Sequence, residues 1–289
     1  MNKIAVIGVG LIGGSFAKGI KRLFPETLIV GFDKNDSHLQ EALNMNLIDE
    51  KGTESGLSEV NMVFVTIPVD VLVDELPKIL NKVNDDCVVI DAGSTKSMLC
   101  RCVENHPKRR NYLACHPIAG TEFSGPSAAF DGLYNGKTNI ICEVEKTAFK
   151  LQERALEIFQ KLGMRIRYMN PEAHDKHIAY VSHLSHISSF MLGKTVIEEE
   201  QNERDIFDMA GSGFESTVRL AKSSPDMWTP IFEQNKENVV KSLEEYIKNL
   251  ESFKHMMEQG NFEGIYDQMN NTNRIKQILK GIPLTKTHN

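Results

Sequence analysis

Ile4-Ala5-Val6-Ile7-Gly8-Val9-Gly10-Leu11-Ile12-Gly13-Gly14 reads as a short buried strand that runs straight into a glycine turn and a helix. Gly8 permits the tight turn and Gly10 lets backbone amides approach a pyrophosphate. Gly13 lets the helix pack on the strand, and the helix start at Leu11 and Ile12 faces the anion. A second apolar run, 28–32, ends at Asp33, twenty residues beyond Gly13, where a carboxylate bonds a ribose diol and repels a 2′-phosphate. The spacing predicts a dinucleotide site for NAD rather than NADP, built from Gly8, Gly10, Leu11, Ile12, Gly13 and Asp33.

Outward from that unit, apolar runs alternate with amphipathic stretches, the pattern of an α/β fold with a doubly wound, Rossmann-type parallel sheet. Seven strands are expected, at 4–7, 28–32, 62–67, 87–90, 112–115, 139–142 and 164–167, with helices at 71–80 and 148–162. Beyond Asn170-Pro171 the strand signal disappears. A helix is expected over 172–200, a second over 215–222, and then a stretch over 232–257. That last stretch repeats Val239, Leu243, Tyr246, Leu250, Phe253 and Met257 in steps of four and three. Two domains follow, an NAD-binding sheet domain over 1–170 and an all-α domain over 171–289. The stripe fits a subunit interface better than an internal bundle, so a homodimer through the helical domain is expected. The last ten residues are polar and expected to fray.

With 289 residues, 41% apolar and 25% charged, the chain has the composition of an ordinary soluble protein large enough for two cores. No stretch approaches the apolar length needed to cross a bilayer. A net charge of −6 and a pI of ≈ 5.9 argue against a nucleic-acid partner, and Lys108-Arg109-Arg110, the only basic run, reads as a solvated loop. The N-terminus enters a core strand without a leader and the five cysteines are odd in number, so reduced thiols and a cytoplasmic location are expected. The Cys100-x-Cys102 pair is a weak metal or redox signal.

A dinucleotide domain points to hydride transfer, and the substrate has to be read from polar groups near the nicotinamide. Four elements qualify: the loop Asp91-Ala92-Gly93-Ser94-Thr95-Lys96, the loop after His116, the histidine-rich helix, and the helix carrying Arg219. At the carboxyl edge of the sheet His116 is placed to take the proton of an alcohol as its hydride leaves, or else to bond loop carbonyls. Arg219 is a natural partner for a substrate carboxylate, the alternative being a surface ion pair. His174, His177, His183 and His186 lack the i, i+4 pair plus acid of a helical zinc site, so no metal is expected. Among them His186 is preferred for a polar substrate contact, the others having core or interface roles.

Together these stretches resemble the prephenate dehydrogenase family, including its arogenate-using relatives, over nearly the whole chain. The glycine turn and the Ser94 loop are similar to the family's own. Its HPxAGTExSG signature stands as His116-Pro117-Ile118-Ala119-Gly120-Thr121-Glu122-Phe123-Ser124-Gly125. His174-Asp175, Ser182-His183-Leu184-Ser185-His186, Arg219-Leu220-Ala221, Ser224-Pro225-Asp226-Met227-Trp228 and Asn235 follow in the family's order. Ser185 replaces a usual proline, which lets the helix run on unkinked. Val218 replaces a usual threonine, which bears on substrate preference.

The resemblance implies an NAD-dependent oxidative decarboxylation of prephenate to 4-hydroxyphenylpyruvate, in tyrosine biosynthesis. His116 would draw the hydroxyl proton, with Ser94 orienting histidine and substrate. Arg219 would hold a carboxylate, His186 and Thr121 would add polar contacts, and Trp228 would pack nearby. Aromatisation drives the loss of carbon dioxide, so no metal electron sink is needed. The family's appended regulatory or mutase domains are not expected in this chain. The rivals are an arogenate dehydrogenase giving tyrosine directly, a β-hydroxyacid dehydrogenase using Lys176 or Lys194, and a non-catalytic NAD-sensing regulator.

Overall fold

A computed structural model of the chain describes residues 2–203 and 205–281. The expected fraying at the C-terminus therefore falls mostly outside the described residues. The sheet has eight strands in the order β3-β2-β1-β4-β5-β6-β7-β8: β1 (Lys3–Ile7), β2 (Leu28–Phe32), β3 (Glu50–Lys51), β4 (Met62–Val65), β5 (Val88–Asp91), β6 (Tyr112–Pro117), β7 (Thr138–Cys142) and β8 (Arg165–Met169). The helices between them are α1 (Leu11–Leu23), α2 (Asp36–Asn44), α3 (Val69–Lys82), α4 (Ser97–Cys102) and α5 (Phe149–Lys161).

Several features of the sheet differ from the sequence reading. The extra strand, β3, is two polar residues paired with Val30 and Gly31, too short to carry an apolar signal. The sheet is not parallel throughout, because β7 runs antiparallel to β6. The connection 118–137 holds only a short 3₁₀ turn, Pro126–Ala128, and no α-helix of the kind that usually carries a parallel crossover. Finally β6 runs two residues past the expected end at Cys115, with His116 opposite Ile140 and Pro117 opposite Asn139.

Two apolar layers sandwich the sheet. On one face Phe16, Ile20, Ile29, Phe64, Ile158 and Phe159 pack α1 and α5 onto the strands; on the other Leu72, Leu76 and Leu80 of α3 meet Val63, Val65 and Val89. The 118–137 connection is sewn to α1. Ser15 Oγ accepts from the Phe130 amide at 3.1 Å, Lys18 Nζ donates to Ala129 O at 2.8 Å, and Tyr134 Oη donates to Ile12 O at 2.6 Å.

After β8 the chain is helical: α6 (Pro171–Ile178), a π turn (Ala179–His183), α7 (Leu184–Glu200), α8 (Ser212–Val218), a 3₁₀ turn (Arg219–Lys222), α9 (Pro225–Gln234), α10 (Lys236–Glu258), α11 (Phe262–Thr272) and α12 (Ile275–Gly281). The stretch 172–200 continues through Ser185, although a π turn interrupts it just before. The expected helix 215–222 is instead a short α-helix followed by the 3₁₀ turn, and the stretch 232–257 breaks at Asn235. Val69 packs against Trp228 and Ile231, and so α9 docks on the start of α3, at the carboxyl edge of the sheet. Along the α10 stripe Val239 is buried, while Leu250 and Met257 are about half exposed. No helix among the described residues is long and apolar enough to cross a membrane.

Candidate active site

The glycine turn has the shape expected of a pyrophosphate seat. Gly8 sits at φ +91°, which favours glycine, and a Cβ on Gly13 would stand 2.0 Å from Gly8 O, so the helix reaches the turn only because residue 13 is glycine. At Gly10 the nearest atom to a Cβ would be Gly125 N at 3.9 Å, so the space over that residue is open. α1 starts there with no side chain capping its first amides. Asp33 Oδ2 accepts from the Val9 amide at 3.1 Å and Oδ1 from the Asn35 amide at 2.9 Å, which places the carboxylate at the mouth of the turn. The residues present fit a dinucleotide: an open cradle of unpaired amides with a carboxylate beside it.

Across the edge, β5 ends in Asp91, fully buried and paired with Lys96. Asp91 Oδ1 accepts from Tyr112 Oη at 2.8 Å and the Cys115 amide at 3.0 Å, and Lys96 Nζ donates to Cys115 O at 2.7 Å. These bonds lash the loop carrying half-buried Ser94 to the strand carrying His116. The next residue, Thr95, donates to Gln234 Oε1 on α9 at 2.6 Å.

His116 is 8% exposed, and its Nδ1 lies 2.8 Å from His174 Nε2; His174 Nδ1 in turn lies 2.8 Å from Asp175 Oδ1. Burial pushes the His116 pKa well below the ordinary imidazole value, and any charge on His174, Lys96 or His183 pushes the same way, so it is neutral and basic in form near pH 7. Burial likewise lowers His174, with the Asp175 bond opposing. Burial disfavours the charge on Asp175, but bonds from His174 and the Ser97 amide outweigh it and hold the carboxyl below its usual value.

The helical domain brings a second group. His186 stacks on Trp228 with ring centroids 3.6 Å apart, and its Nδ1 donates to Ser182 O at 3.0 Å. His183 meets the edge of Trp228 at 5.8 Å, and its Nδ1 accepts from Asn235 Nδ2 at 3.2 Å. That leaves His183 Nε2 and Trp228 Nε1 as buried groups without a hydrogen-bond partner among the described residues. Arg219, at the head of the 3₁₀ turn, is half exposed and its Nη1 lies 3.2 Å from Glu122 Oε2, in the loop that follows His116. Thr121 is exposed and accepts from the Phe123 amide at 3.2 Å. His177 and Lys176 are exposed on α6 and Lys194 on α7, apart from these groups.

Sequence reasoning gave no role to Lys96 and only a core or interface role to His174. A signal existed for His174 and Asp175: one turn before Ile178 and Ala179, they lie on the face that the apolar spacing buries, where polar groups need partners.

An anion seat beside a buried neutral imidazole, closed by a helical second domain, is the arrangement of a dinucleotide-dependent dehydrogenase. Residues 16–168 match the family description "Prephenate dehydrogenase, nucleotide-binding domain", and residues 170–271 match "Prephenate dehydrogenase, dimerization domain". The prephenate dehydrogenase of Bacillus subtilis is 28% identical over 97% of this chain and 76% of its own length. The cyclohexadienyl dehydrogenase of Zymomonas mobilis is 25% identical over 96% of each. The crystal structure of Aquifex aeolicus prephenate dehydrogenase with hydroxyphenyl propionate and NAD+ superposes with a TM-score of 0.86 at 33% identity, covering 96% of this chain and 98% of that one. The chain belongs to the prephenate dehydrogenase family.

Proposed function

We propose that this NAD-dependent oxidoreductase converts prephenate to 4-hydroxyphenylpyruvate, a step of tyrosine biosynthesis, with His116 as the base. The observation that carries the reading is the position of His116: buried, neutral and hydrogen-bonded at the carboxyl edge, across from an open glycine cradle. Gly8, Gly10, Leu11, Ile12 and Gly13 hold the pyrophosphate of NAD and Asp33 its ribose diol. When bound, NAD supplies the hydride acceptor. His116 Nε2 takes the proton of the ring hydroxyl as the carbon beneath gives up its hydride. The ring carboxylate leaves as carbon dioxide, its bonding pair aromatises the ring, and the proton returns from His116 to the phenolic oxygen.

Ser94 orients the hydroxyl and the imidazole. Arg219 takes a carboxylate of the substrate, which must share or displace Glu122, while Thr121 and His186 add polar contacts and Trp228 supplies a flat wall. His183 Nε2 and Trp228 Nε1 are buried beside His186 without a hydrogen-bond partner among the described residues, so they are polar groups available to a ligand only if the site rearranges around it. Residues 1–170 form the NAD-binding unit and 171–289 the unit that closes the site and pairs with a second copy. Support for a homodimer comes from the half-exposed apolar end of α10.

Arogenate, which carries an amino acid in place of the pyruvyl group, is the second reading, and the name of the Zymomonas relative covers both. NADH formation with NAD and each substrate in parallel tests the proposal. Turnover of prephenate supports it, turnover of arogenate alone moves the product to tyrosine, and silence with both while NAD still binds overturns it.

A further inference from the structure

His116 ends a three-member chain. Asp175 lies at its far end, with Oδ1 accepting from the Lys96 amide at 2.7 Å and Oδ2 from the Ser97 amide at 2.9 Å, the first turn of α4. Asn235 Nδ2 donates to Asp175 O at 2.7 Å, which pins α6 against the α9–α10 junction. His116, His174 and Asp175 are all buried, and the two imidazole rings meet edge to face at 5.0 Å.

The donor and acceptor chemistry of this chain permits one arrangement of protons. An ionised carboxylate only accepts, so the proton of a neutral His174 lies on Nδ1, facing Asp175. Its Nε2 is then a lone pair and only accepts, so the proton of a neutral His116 lies on Nδ1. That leaves His116 Nε2 bare, as a base requires. A second effect follows when a proton arrives. The groups acting on His116 are Lys96, paired with Asp91 on the β5 side, and His174 and His183 on the helical side, with Asp175 bonded to His174 behind it. Lys96 is balanced locally by Asp91, so the carboxylate of Asp175, reached through His174, is the charge that offsets a new imidazolium.

We propose that His174 and Asp175 are positioning residues that lock His116 in its Nδ1–H tautomer and stabilise the imidazolium formed during proton transfer. The principle is that of the acid in a catalytic triad, with an imidazole interposed. The proposal rests on the reading of His116 as the base. It differs from a purely structural role, in which Asp175 caps α4 and His174 fills space.

Two measurements test it. In the unliganded protein labelled with ¹⁵N-histidine, His116 should show Nδ1 protonated and Nε2 bare, and His174→Phe should convert it to a mixture of tautomers. Activity is then compared for the wild type and His174→Gln, whose carbonyl oxygen can still accept from His116 Nδ1–H but cannot pass charge to Asp175. His174→Gln should lower kcat by about tenfold to a hundredfold with KM little changed, and move the acid limb of the kcat/KM profile to lower pH. A protonated Nε2 on His116 in the wild type overturns the proposal, as does an unchanged kcat and pH profile in a folded His174→Gln. If the wild type turns over neither prephenate nor arogenate, the functional reading fails by itself, and the tautomer measurement still decides whether the lock exists.

Discussion

The carboxylate of Asp33 holds the amide of Val9 at 3.1 Å, across 24 residues of chain, so the residue proposed for the ribose contact is bonded to the glycine turn proposed for the phosphates. Asp33→Asn keeps an oxygen for Val9 and removes the charge. It should narrow the preference for NAD over NADP with little change in Tm, whereas Asp33→Ser, which cannot reach, should also weaken NAD binding. Equal NAD to NADP ratios of kcat/KM in Asp33→Asn and wild type would remove Asp33 from the ribose contact.

Gly10 and Gly13 separate folding from binding. A methyl on Gly13 collides with Gly8 O, so Gly13→Ala should lower stability by about 2 kcal/mol or more. A methyl on Gly10 meets open space, so Gly10→Ala should melt like the wild type yet bind NAD at least tenfold more weakly. Thermal melts with and without NAD read both effects.

His116→Asn should leave NAD binding intact and reduce turnover by about a hundredfold or more, the scale of general base catalysis. Turnover that survives would name another base.

Arg219→Ala should raise KM for the substrate by tenfold or more with a smaller effect on kcat, because it removes a charged contact made before the chemistry. Glu122→Gln should lower KM, since the arginine then loses its resident anion. A KM that rises in Glu122→Gln would mean that the pair orients Arg219 rather than competing for it.

His183 sets a pH dependence of stability. Burial lowers its folded pKa from 6.5 to about 4, so the fold prefers the neutral ring. Its contribution is complete above about pH 6.5 and is lost as pH falls toward 4, at a total of about 3 kcal/mol. His116, His174 and His186 act in the same direction, so the test is a comparison: Tm of His183→Gln should fall less between pH 7 and pH 4 than that of the wild type.

The sheet and the glycine turn were legible because their signals are local. A buried strand is a run of apolar residues, and the demands on Gly8, Gly10 and Gly13 arise within a dozen positions. β3 was not legible because Glu50-Lys51 is polar and joins the sheet by backbone bonds alone. The reversal of β7 follows a connection without an α-helix, 118–137, and strand direction leaves no mark in periodicity. In the site, His116 stood out by its place after a strand. Its bond to His174 spans 58 residues, and the Arg219 pair with Glu122 spans 97, distances at which a sequence carries no geometric information. The π turn before Leu184 left no mark in the apolar spacing either, since it widens one turn without changing which residues are apolar.

The seam between α1 and the span that follows His116 works as a ruler. That span is rich in small residues and reads like slack, yet it starts at the imidazole and is nailed to the helix after the glycine turn at Ser15, Lys18 and Ile12. Its length gauges how far His116, the proposed proton acceptor, stands from the glycine turn proposed to cradle the hydride acceptor. An insertion there, harmless to folding by the usual tolerance of surface loops, would change the calibration of the chemistry while leaving every reactive group in place.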